Sequence, residues 1–276
     1  MFVDVADLRE FYGQPLGRAV RLSLGGAIAE IWDEMPAHEA GGQSMVGLGY
    51  CVPWLGRYRR NGERVMALMP AAQGAVKWPA GGPSATALVL SEQLPLPDSS
   101  VDRMLMVHLL EHSENPTATL KEAWRVLTPG GRLLIAVPNR RGVWARFEHT
   151  PFGTGRPFSR GQLDGLLRDT LLSPETWSDA LHFPPVRRAG AIRVYSRFER
   201  IGRRLWPAFS GVIMVEASKQ LYQGLPADEK AAERVLVPVL SPQSAPMRTP
   251  MRSLGCISGR GVSRETELLS SCGETL

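Results

Sequence analysis

The chain has 276 residues, 43% of them hydrophobic and 21% charged, a size and balance that suit one well-buried α/β domain with an appendage. No run approaches the roughly 18 consecutive apolar residues that span a bilayer, and a formal charge of +5 is too modest at this length to argue for nucleic acid. The opening "MFVDVADLRE" carries acids where a secretory leader carries bases, and Cys51, Cys256 and Cys272 are odd in number and lack metal-ligand spacing, so a cytoplasmic protein with free thiols and no metal is expected.

From Val5 to about Met35 the apolar residues recur at helical spacing, interrupted by "GQPLG", which predicts two helices ahead of the main sheet. "SMVGLG", residues 44–49, is a short apolar run ending in glycine and predicts a buried strand, with "VPWLGRYRR" as the helix after it. "RVMALMP", "ATALVLS", "VDRMLMVHLL" and "GRLLIAVPN" predict four further strands, the last preceded by the helix "ENPTATLKEAWRVL" with "TPGG" as its stop. Strands separated by helical segments need crossover connections, so the sheet is expected to be mostly parallel with helices on both faces.

After residue 140 a long loop, "RRGVWARFEHTPFGTGRP", leads to a helix capped by Ser159, a strand within "ETWSDALHF" and a last apolar strand, "GVIMVEASK". Between these two strands seven arginines fall from Arg187 to Arg204. Arg193, Arg197, Arg200 and Arg204 share one helical row beside an apolar one of Val194, Phe198, Ile201 and Leu205. This stripe reads as a solvated outer face, or as a surface for an anionic membrane or an acidic partner, with Trp206 at its end. The expected organisation is a helical lid over residues 1–40, the main domain over 41–224, and a short helix followed by a Ser-, Pro-, Gly- and Arg-rich disordered tail over 225–276.

At "LPLPDSSVDRMLMVHLLEHSENPTATLKEAWRVLTPGGRLLIAVPN", residues 94–139, the chain resembles the class I S-adenosylmethionine-dependent methyltransferases, especially the small-molecule branch that includes quinone methyltransferases. "PFSRGQL" and "SGVIMVEASKQ" extend the likeness. The resemblance implies a Rossmann-like class I methyltransferase fold, a mostly parallel seven-stranded α/β sheet with a reversed last strand. It also implies methyl transfer from S-adenosylmethionine to a small, lipid-like acceptor. Gly47 and Gly49 would hold the methionine end, Tyr50 could stack on the purine, Ser91 and Glu92 would lie by the adenosine, and His108 or His112 would face the acceptor as a base. His149 is a third candidate base.

The cofactor motif is degenerate. Where the family has three acids this chain has Met45, Met69 and Leu90, and Cys51 replaces the third glycine. Losing three charged hydrogen bonds at about 1.5 kcal/mol each would weaken binding by roughly a thousandfold. The alternative is therefore an inactive binding or scaffolding protein that kept the fold. "HLLEH", residues 108–112, matches H-x-x-E-H but closes a strand rather than sitting on a helix, which argues against zinc. No G-x-G-x-x-G is completed for a dinucleotide oxidoreductase, and no single-strand aromatic platform accompanies the arginines for RNA.

Overall fold

The computed structural model describes residues 4–32, 43–59, 64–185 and 210–220, all within one compact unit, Met1–Pro226. The arginine-rich segment from 187 to 204, the expected short helix at 227–236 and the tail lie outside the described residues.

Helix α1, Val5–Gly13, starts where the Asp4 carboxylate accepts the Ala6 N–H at 2.7 Å. Helix α2, Pro15–Ile31, follows at once, with proline in its first turn where a missing N–H costs nothing. Their buried positions, Val5, Leu8, Phe11 and Tyr12 on α1 and Leu16, Val20, Leu24, Ala27 and Ile28 on α2, keep the spacing that predicted them.

The sheet contains β1 (Ser44–Gly49), β2 (Arg64–Pro70), β3 (Thr86–Val89), β4 (Val101–Val107), β5 (Leu127–Pro138), β6 (Leu172–Ala180) and β7 (Val212–Lys219). Its order is β3-β2-β1-β4-β5-β7-β6, with β1 to β5 parallel and β7 antiparallel to both its neighbours. The mostly parallel seven-stranded sheet with a reversed last strand is thus present. Helix α3 (Val52–Leu55) is a single turn after β1, α4 (Pro116–Val126) connects β4 to β5, and α5 (Arg160–Asp169) opens on a Ser159–Gln162 capping box. Met45, Met69, Leu105 and Leu134 face α1 and α2 in one apolar layer, while Val46, Leu48, Met104 and Ile135 pack with Leu120 of α4 and Leu163 of α5 in the other. Burial on both faces explains why the parallel strands read as unbroken apolar runs.

Several strand boundaries differ from expectation; β5, for one, begins at Leu127 and takes in the "TPGG" expected to precede it. β4 stops at Val107, because His108 takes a left-handed backbone (φ 55) and turns the chain into a 3-10 turn over Leu110–His112. β6 begins at Leu172, ahead of the expected start at Glu175, and absorbs Pro174 at a register shift on the edge strand. Among the described residues no helix is long and apolar enough to cross a membrane. The chain enters the sheet at β1, runs outward to β3 and returns to β4, so the carboxyl ends of β1 and β4 border the crevice at which open α/β sheets bind ligands.

Candidate active site

β1 ends in a turn built by two glycines. Gly49 has φ +90, and a Cβ there would stand 2.4 Å from the Val107 carbonyl oxygen; one on Gly47 would stand 2.7 Å from Cys51 Cβ and from Leu55 Cδ1. Both glycines therefore permit close approach of the chain to itself. The turn's donors are engaged: Tyr50 N–H donates to the Val107 carbonyl at 3.0 Å and Cys51 N–H to that of Gly49 at 3.1 Å. Cys51 takes the place of a third glycine and turns inward, its Sγ 3.2 Å from the Leu105 carbonyl oxygen, and burial pushes its thiol pKa far up.

Helix α1 lies across this turn. Val5 N–H donates to the Gln73 carbonyl at 2.8 Å in the loop after β2, and Tyr12 completes the cover. The Tyr12 ring stacks on Tyr50 (5.6 Å between centroids, 19° between planes) and meets Trp54 edge-on at 5.5 Å. Its hydroxyl lies 2.7 Å from Nε2 of His108. Burial, then the nearby Tyr50, Glu111 and Cys51, raise the Tyr12 pKa well above its ordinary value, so the phenol keeps its proton.

His108 is fully buried, its ring 4.8 Å from that of Phe152. Nδ1 lies 3.3 Å from Glu111 Oε1 without forming a hydrogen bond, and the main-chain carbonyl accepts from Gln73 Nε2 at 3.0 Å. Glu111 is buried as well, and neither of its carboxylate oxygens has a hydrogen-bond donor. A carboxylate so placed favours the tautomer with its proton on Nδ1, which leaves Nε2 to accept from Tyr12. Carboxylate, imidazole and phenol thus stand in series. Gly155, at φ +82, closes over the 3-10 turn: a Cβ there would stand 2.5 Å from the Glu111 carbonyl oxygen and 2.9 Å from the His112 ring.

Beside this cluster a cleft of about 410 Å³ opens across the ends of β2, β3 and β4. Gln73, Leu90, Ser91, Glu92, His108 and His112 line it, and no lysine or arginine does. Gln73 Oε1 and His112 Nε2 are buried atoms without a hydrogen-bond partner. The structure therefore brings His108, His112, Ser91 and Glu92 to one cleft, while Gly47, Gly49 and Tyr50 do not line it and Tyr50 is stacked under Tyr12. Met45 and Met69 are fully buried, and Leu90 is 62% exposed at the cleft. His149 sits apart, 5.5 Å from the Phe147 ring. Tyr12 and Gln73 escaped the sequence reading, Tyr12 because it showed only core spacing and Gln73 because it gave no signal, while Glu111 was weighed only within the H-x-x-E-H pattern.

Burial, opposed by Glu111 and reinforced by His108, lowers the His112 pKa from its ordinary 6.5. As pH drops below that value the unfolded chain takes up a proton that the folded one resists, so stability falls there. A His112→Asn variant is expected to lose less melting temperature than wild type between about pH 7 and pH 5. Equal losses would mean that another group carries the slope.

Comparison with known proteins agrees with this architecture. A model of the methyltransferase domain matches residues 46–135. A probable S-adenosylmethionine-dependent methyltransferase of Mycolicibacterium smegmatis is 44% identical over 48 residues, 17% of this chain and 19% of that protein. A 37.1 kDa protein in transposon TN4556 of Streptomyces fradiae is 32% identical over 79 residues, 29% of this chain and 22% of that one. The chain thus covers about a fifth of the length of these curated relatives. The crystal structure of a methyltransferase from Thermotoga maritima superposes with a TM-score of 0.52 at 18% identity, covering 78% of this chain and 96% of that one, a likeness of fold. The turn after β1, the switch from β3 back to β4 and the reversed β7 thus give this chain the fold of the Thermotoga maritima methyltransferase, and over residues 46–135 its sequence matches the methyltransferase domain.

Proposed function

We propose that the domain transfers a methyl group from S-adenosylmethionine to a small acceptor of apolar, lipid-like character, with the adenosyl end in the cleft and His108 as the base. The observation that carries this reading is the cleft itself. It lies at the carboxyl ends of β2 to β4, His108 borders it, and two buried polar atoms beside it await partners. Gln73 Oε1 can accept from a ribose hydroxyl, His112 Nε2 can accept from or donate to one, and Glu92 can accept from an adenine amine. The residues present fit the nucleoside half of the cofactor. They do not fit the methionine half in this conformation, because the Tyr50 and Cys51 N–H groups are engaged and Tyr12 covers the turn.

When bound, the cofactor supplies a methyl group already activated by its positive sulfur. The chain's part is to position the acceptor, exclude water and manage one proton. Phe152 beside His108, backed by Trp144 and Phe183, offers an apolar wall for the acceptor. His108 Nε2, once free of the Tyr12 hydroxyl, can take the acceptor's proton, and the Glu111 carboxylate next to Nδ1 stabilises the imidazolium that results. The basic stripe from Arg193 to Arg204 supports contact with an anionic membrane surface or an acidic partner.

Isothermal calorimetry with S-adenosylhomocysteine tests the reading. Binding weaker than micromolar but tighter than about 1 mM is expected, since the three missing acids remove roughly a thousandfold and the cleft's own polar groups restore part of it. No heat at millimolar ligand would leave the scaffolding alternative.

A further inference from the structure

Five buried side-chain polar atoms without hydrogen-bond partners belong to Gln73, His108, Glu111 and His112, around one end of the cleft. The turn after β1 is in the opposite condition: Tyr50 and Cys51 are buried, and the Tyr12 ring stacks on Tyr50. The cleft holds no residue of that turn. A ligand that ends at its ribose fits beside α1 as it stands, whereas one that carries an amino-acid tail onto the Tyr50 face of the turn meets the Tyr12 ring.

We infer that Tyr12 is the resident occupant of the methionine seat, so that the free protein takes purine nucleosides directly and admits the full cofactor only when α1 lifts. The inference rests on the reading that S-adenosylmethionine is the ligand of this site, and adds what controls its entry. Three features make Tyr12 suited to the part. Its ring meets Tyr50 and Trp54, on the turn and the helix that follows it, besides Phe11 on its own helix and the His108 ring. Its hydroxyl has a single hydrogen-bond partner, His108 Nε2. Finally, α1 is nine residues long and joined to α2 through an extended Gln14 (ψ 161), a single-residue elbow next to Gly13, around which a Cβ would meet nothing within 4 Å.

One movement then does two things. Lifting α1 bares the Tyr50 face of the turn after β1 for the tail and releases Nε2 of His108 at the same moment. The base is masked until the cofactor is in place, and a nucleoside alone leaves it masked.

Calorimetry with adenosine and with S-adenosylhomocysteine, on wild type and Tyr12→Ala, separates the possibilities. Adenosine is expected to bind both proteins with the same affinity within about twofold, and S-adenosylhomocysteine to bind Tyr12→Ala about tenfold tighter, since affinity is reduced by the fraction of molecules in the competent state. Tyr12→Phe, which keeps the ring over Tyr50 and loses the bond to His108, should gain less than Tyr12→Ala. Wild type gives a second readout that needs no variant. In stopped-flow tryptophan fluorescence the rate with S-adenosylhomocysteine should level off as its concentration rises, because lifting limits it, while the rate with adenosine climbs linearly. S-adenosylhomocysteine affinity that is unchanged or weaker in Tyr12→Ala, with a linear rate in wild type, overturns the inference and leaves the proposed function standing. Absence of binding by either ligand to either protein overturns the proposed function itself.

Discussion

Replacing Trp144 by alanine is expected to lower the free energy of unfolding by about 4 kcal/mol, read by guanidinium denaturation. The indole is fully buried between Phe152 and Phe183, which it meets edge-on at 5.6 and 5.5 Å. Its Nε1–H donates to the Phe183 carbonyl at 2.6 Å. It is also packed so closely on the start of β7 that a Cβ on Gly211 would stand 2.3 Å from it. Truncation removes the apolar burial, opens a cavity against strands that cannot collapse into it, and deletes one buried hydrogen bond. Trp144→Phe refills most of the space and should cost only about 1–2 kcal/mol. A loss below about 2 kcal/mol for alanine would show that the loop around Trp144 is not packed as described. The same substitution reaches the active site, because Phe152 is the link between Trp144 and the His108 ring.

Gly49→Ala should cost about 3 kcal/mol, for a different reason. A non-glycine residue at φ +90 carries strain of about 1–3 kcal/mol. The added Cβ would also stand 2.4 Å from the Val107 oxygen, and that oxygen belongs to the residue paired with Gly49 in the sheet. Relief requires β1 and β4 to part, which breaks the Tyr50 N–H bond to the same oxygen. Gly81→Ala is the control. Nothing lies within 4 Å of a Cβ there, so a change within about 0.5 kcal/mol is expected. If the two variants melt alike, the left-handed turn is not the conformation in solution.

How legible this was depended on distance along the chain. The parallel strands announced themselves because burial on both faces leaves an uninterrupted apolar run, as in "RVMALMP". The reversal of β7 came from the family resemblance alone, since an apolar run such as "VIMVEASK" does not state its direction. β4 looked longer than it is because Leu109 and Leu110 continue its apolar character past His108, whose left-handed φ has no compositional signature. Tyr12 and His108 are separated by 96 positions, so their contact is a product of tertiary packing. The burial of Glu111 had no local signal, since glutamate is rarely buried; Gly155 and Arg156, from far along the chain, close over its turn, with Arg156 N–H on the Glu111 carbonyl at 2.7 Å.

The last residue of β7 is tethered in an unusual way. Lys219 Nζ donates to the Leu127 carbonyl at 2.7 Å, approaches the Arg125 carbonyl at 3.4 Å, and stands 4.2 Å above the Trp124 ring. Its charge therefore meets the negative pole of α4 and an aromatic face together. Because β7 runs against its neighbours, this anchor sits on the rim of the sheet opposite the cleft. A dye on a cysteine introduced as Gln220→Cys would thus report from the rim opposite the cleft, at the end of a strand held by Lys219.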